Sequence, residues 1–152
     1  MPQVIILIIF AHLITLFVSR FTLWPEMVVY PYLINNNFLL YKEIINPYPP
    51  LFTGFLVIFT KMFGYGVFTF QALTWSIIVI TDLTLFLCAQ KILNSTKMAI
   101  WSLAAFVVLS VPFQINGLWF DLVQTPLIIL VFFYLNKYLK KQSRSALFYI
   151  FL

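Results

Sequence analysis

Four carboxylates, Glu26, Glu43, Asp82 and Asp121, and a single histidine, His12, are the acid and imidazole groups this sequence offers for chemistry. A carboxylate can take a proton from a hydroxyl, ligate a cation or pass a proton along a relay. Glu26 follows Trp24 and Pro25. Proline favours the first helical position and a carboxylate suits the first turn, so Glu26 reads either as an ordinary helix start beside an interfacial tryptophan or as a general base. Asp121, close behind Trp119, reads either as an N-cap or first-turn acid or as a contact for a substrate. Glu43 adjoins Lys42, and the pair reads first as a surface ion pair that pins its loop. Arg20 and Lys42 are the basic residues placed to meet a phosphate at a membrane surface, although long cations at such positions also snorkel toward headgroups. Asp82 stands inside an apolar run with no charged neighbour one helical turn away. It calls for a hydrogen-bond partner on another helix, or belongs to a proton path together with His12. No His and Cys cluster has zinc spacing, no glycine-rich phosphate loop is present, and Cys88 reads as a small core residue.

The elements that must position these groups follow from composition. Of 152 residues, 63% are apolar, 20% aromatic and 9% charged, with a mean hydropathy of +1.02. A soluble domain carries about 25% charged residues, so the chain is expected in a bilayer, as one polytopic all-α bundle. The net charge of +5 does not argue for nucleic acid, because the basic residues fall mostly in short loops, where they set topology. Spans are expected at about 3–20, 66–90, 98–114 and 121–136, with a fifth starting near Ala146 as if the chain were cut inside its next helix. The N-terminal run has neither a basic flank nor a cleavage site and reads as a retained span. The loops Lys91 to Lys97 and Lys137 to Arg144 hold six of the nine basic residues and no acid, which puts them in the cytoplasm together with the N-terminus. The loop 21–65 and the segment Gln114 to Asp121 then face outward. Within that loop, 51–63 would reach roughly 20 Å as a helix, short of the roughly 30 Å hydrocarbon core, so it is expected to lie at the interface. Letting it span would score better on charge but needs two spans joined across Gly64, Tyr65 and Gly66. The sequon Asn94, Ser95, Thr96 falls on the cytoplasmic side, where it would not be glycosylated. No internal repeat is evident.

The outer loop carries a recognisable order. An acid follows the first span; then come Tyr41-Lys42-Glu43, the turn Pro49-Pro50-Leu51, a short apolar helix, and Lys61-Met62-Phe63-Gly64. An Asn-Gly-x-Trp-x-Asp step follows at Asn116 to Asp121. This resembles the GT-C superfamily, and more narrowly the bacterial polyprenyl-phosphate-sugar-dependent transferases related to protein mannosyltransferases. The resemblance covers essentially the whole chain. It implies that Glu26 is the catalytic base and that Asp121, with Glu43, Lys42 and Arg20 as further candidates, contacts sugar, phosphate or acceptor. Many relatives carry an Asp-Glu pair where this chain has Pro25 and Glu26, a departure that leaves a divalent metal ion an open question.

The expected function is therefore a membrane glycosyltransferase that moves a sugar from a polyprenyl phosphate to a hydroxyl of a lipid, glycan or protein acceptor. Its expected place is a bacterial or archaeal plasma membrane, with the active-site loop outside the cytoplasm. By itself the chain is expected to be inactive, because glycan-binding residues of the superfamily often lie in later spans. The alternatives are a transporter or flippase-like protein using Asp82 and His12, and a purely structural membrane subunit.

Overall fold

The computed structural model describes residues 2–141. The chain is mostly helical. Along it run α1 (Pro2–Val18), β1 (Thr22–Leu23), α2 (Glu26–Asn35), α3 (Pro50–Phe63), α4 (Val67–Leu93), α5 (Thr96–Ser110), β2 (Gly117–Leu118) and α6 (Phe120–Lys141). The helices coincide with the apolar runs of the sequence, and α3 with the segment expected at the interface. The fifth span expected near Ala146 lies outside the described residues.

Local chemistry sets the boundaries. Prolines 49 and 50 open α3, and Gly64, at φ +80°, closes it in the left-handed region that glycine adopts without steric penalty. Asn94 ends α4 in the left-handed conformation, and Ser95 starts α5 by accepting a hydrogen bond from the Met98 amide at 3.3 Å. The residues of the glycosylation sequon thus form a helix stop and a helix start.

By length and composition, α4 and α6 are long and apolar enough to cross a bilayer, whereas α1, α3 and α5 are shorter apolar helices. The 17 residues of α1 rise roughly 25 Å. Helix α4 is the centre of the assembly, packed against α1, α5, α6 and β2. Three apolar layers stack along it. Phe86, Ala99 and Leu103 form one end and Leu16, Ile78 and Leu122 the middle. Met27, Leu56, Phe70, Leu118 and Phe120 form the other end, where the α2–α3 pair joins the bundle.

The outward faces are also apolar. Phe17 is 75% exposed and Leu51 84%, and only 6% of the most apolar 18-residue stretch of α6 is buried. Because α1, α4, α5 and α6 alternate in direction, the loop 19–66 and the α5–α6 connection lie at one end. Lys91, Lys137 and Lys140 line a common cavity at the other.

Candidate active site

The two strands are short but decisive for placement. They pair in parallel, with Thr22 opposite Gly117 and Leu23 opposite Leu118. One residue beyond each strand comes a tryptophan, and the rings of Trp24 and Trp119 lie 6.2 Å apart. Two residues further, Glu26 and Asp121 stand in the first turns of α2 and α6. Thr22-Leu23-Trp24-Pro25-Glu26 and Gly117-Leu118-Trp119-Phe120-Asp121 are therefore the same strand-to-helix step used twice, in register. A shared Leu-Trp-x-acid pattern was the available sequence signal, obscured by its length of four residues.

Asn116 holds this arrangement in place. Its Nδ2 donates to the carbonyls of Leu16 (2.8 Å) and Ser19 (3.2 Å) and to Ser19 Oγ (3.0 Å), while its Oδ1 accepts from Trp75 Nε1 at 3.0 Å. Its own carbonyl accepts from the Thr22 amide at 3.0 Å. One buried amide thus satisfies carbonyls at the end of α1, ties them to α4 and starts the strand pairing. Gly117 comes next because a Cβ there would lie 3.1 Å from the Thr22 carbonyl oxygen, a backbone atom with little room to yield.

Glu26 is half-buried, and its Oε2 is buried without a hydrogen-bond partner. It lies near Tyr30, one turn along α2. Burial, then the Glu26 carboxylate, then Tyr48 push the Tyr30 hydroxyl above the usual tyrosine range. The Tyr48 ring stacks on Phe120 with centroids 3.8 Å apart, and its carbonyl accepts from the Tyr41 hydroxyl at 2.7 Å. Through these contacts the 36–49 loop is fastened over the start of α6. The i, i+4 spacing of Glu26 and Tyr30 is the sequence signal that links this tyrosine to the acid.

Asp121 is exposed and lines a mostly apolar cavity of about 340 Å³ with Phe113, Trp119 and Thr125. Glu26 is not among that cavity's walls. The two acids thus share an end of the molecule without sharing this cavity. Arg20 lines a larger, polar cavity of about 630 Å³ with Ser19, Thr22 and Gln114.

Lys42 and Glu43 do not form the expected ion pair. Glu43 Oε2 instead accepts from the Leu39 amide at 2.7 Å, and the sole ion pair among the described residues is elsewhere. The backbone turn takes the carboxylate that Lys42 was expected to hold, and Lys42 remains exposed. Among the described residues no three His, Cys, Asp or Glu side chains gather.

Asp82 finds its partner on another helix. Its Oδ2 accepts from His12 Nδ1 on α1 at 2.9 Å, both side chains are buried, and Phe106 of α5 meets the imidazole edge-on at 6.0 Å. His12 Nε2 and Asp82 Oδ1 have no hydrogen-bond partner.

Compared with known proteins, the chain matches no family model, no curated protein and no solved structure.

Proposed function

We propose that the chain forms the catalytic end of a polytopic membrane glycosyltransferase of the GT-C type. It would take a sugar from a polyprenyl phosphate and pass it to an acceptor hydroxyl outside the cytoplasm. The observation that carries this reading is the in-register pairing of β1 and β2, which gives Glu26 and Asp121 matching positions at one end of the helices. The apolar outward faces and the lysines gathered at the opposite end support a bilayer setting with that lysine end in the cytoplasm.

In this mechanism Glu26 takes the proton of the acceptor hydroxyl. The freed oxygen attacks the anomeric carbon from the face opposite the phosphate. The bond from that carbon to the phosphate oxygen breaks, and the polyprenyl phosphate leaves with the electron pair, inverting the centre. Glu26 Oε2 has no hydrogen-bond partner among the described residues, so no internal donor competes for its lone pair. Arg20 offers charge to the phosphate and Asp121 a contact to sugar or acceptor.

A general base of this kind supplies about 10²–10⁴-fold in rate, on the order of 3–5 kcal/mol. Replacing Glu26 with Gln in the intact protein therefore lowers sugar transfer by that factor while the fold persists. Transfer at the wild-type rate refutes the assignment.

The second reading, a transporter or flippase-like protein, is favoured by the buried His12–Asp82 pair and its two unpartnered polar atoms. It predicts the reverse pattern, with Asp82→Asn abolishing transport and Glu26→Gln silent.

A further inference from the structure

At the end of the molecule remote from Glu26, two cavities adjoin on the seam between α4 and α6. One, of about 360 Å³, is lined by Lys91, Lys137 and Lys140 with Asn94 and Asn136. The other, of about 300 Å³, is apolar, lined by Leu85, Cys88, Ile128 and Phe132 among others. Ile92 belongs to both walls. The polar chamber and the apolar groove therefore meet along the same two helices.

Among the described residues no carboxylate neutralises these lysines. Of the four acids, Asp82 is paired with His12, Glu43 caps a turn in the 36–49 loop, and Glu26 and Asp121 start helices at the opposite end. What holds the ammonium groups is weak. Lys91 lies over the Phe133 ring at 5.7 Å, and Lys140 donates to the Ile92 carbonyl at 3.4 Å. Each keeps N–H donors free for an incoming anion.

We infer that this seam binds one anionic diacyl phospholipid, its phosphate among Lys91, Lys137 and Lys140 and an acyl chain in the groove beside Ile92. The apolar groove selects a lipid over free phosphate, since a soluble anion leaves that surface uncovered. Three converging cations select an anionic headgroup over a zwitterionic one, whose own ammonium would face them. Asn94 and Asn136 add amide donors for glycerol or ester oxygens. The inference rests on the bilayer setting but not on sugar transfer.

The test is native mass spectrometry of the intact protein in detergent, titrated with phosphatidylglycerol, phosphatidylcholine or glycerol 3-phosphate. One phosphatidylglycerol is expected to stay bound, with phosphatidylcholine held far more weakly. A lysine near an anionic headgroup contributes about fivefold, so Lys137→Gln weakens binding by that factor and the double change with Lys140→Gln by about 25-fold. Lys97→Gln, which removes the same charge outside the cavity walls, leaves binding unchanged.

Three results overturn the proposal. They are phosphatidylcholine binding as tightly, Lys97→Gln weakening binding as much as Lys137→Gln, and glycerol 3-phosphate displacing the lipid at equal concentration, which marks a headgroup-only site. Whether Glu26→Gln abolishes transfer bears on none of these, so the two readings fail separately.

Discussion

Replacing Asn116 with Asp changes one NH₂ group into an oxygen and tests how the candidate site is held together. The asparagine is 3% exposed, and its Nδ2 donates into the end of α1, toward Leu16 O at 2.8 Å and Ser19 O at 3.2 Å. A carboxylate keeps the bond from Trp75 Nε1 but can no longer donate. Both N–H groups are lost to their acceptors, Leu16 O and the Ser19 carbonyl and hydroxyl, at about 1 kcal/mol for each group. The new negative charge also faces carbonyl oxygens at the negative end of a helix dipole, which adds roughly 0.3–1 kcal/mol, and more because the site is buried. The expected destabilisation is about 3 kcal/mol at neutral pH.

The introduced carboxyl, once protonated, can donate a single bond to Leu16 O, so part of the defect disappears in acid. Unfolding in mixed micelles by sodium dodecyl sulfate, followed by circular dichroism at pH 7 and pH 4, reads both quantities. A variant within 1 kcal/mol of wild type at pH 7, or one whose defect does not shrink at pH 4, would refute the claim that Asn116 acts as a donor to α1.

The buried pair gives a second expectation: His12→Leu or Asp82→Leu alone costs about 3–5 kcal/mol, because each strands a buried polar partner, whereas the double change recovers most of the loss. A double-mutant cycle in the same micelle titration measures this, and additive losses contradict the pairing. Tyr30 gives a third. Its hydroxyl is raised above 10.0 by burial first and the Glu26 carboxylate second, so its neutral form is favoured in the folded chain. The associated stability is present below pH 10 and is lost as pH rises through the raised folded value. Tyrosinate absorbance should show Glu26→Gln moving this titration back toward 10, and Tyr30→Phe removing the alkaline loss; an unmoved titration places the carboxylate away from Tyr30.

What the sequence discloses and what it hides divide along one physical line. Helices α1, α3, α4, α5 and α6 were legible because long apolar runs, Pro49-Pro50, Gly64 and Asn94 act over short distances along the chain. Alternation of helix direction then brings Glu26 and Asp121 to one end by counting alone. The β1–β2 pairing was not legible, since two residues per strand have no periodicity to detect. The direction of each side chain was hidden as well. Helical phase turns Asp121 toward Phe113 and Thr125 and leaves Glu26 beside Tyr30, and a shift of one residue in α6 would turn Asp121 by about 100°. Asp82 shows the same division in one residue. Its need for a partner on another helix follows from burying a charge in an apolar run, but the choice of His12, 70 positions away, is made by how α1 packs on α4. The acids can therefore be nominated from their surroundings in the chain, while their cooperation depends on strand register and helix phase. For that reason Asn116 and Gly117, which set the register and carry no proposed chemistry, constrain the site as strongly as the acids themselves.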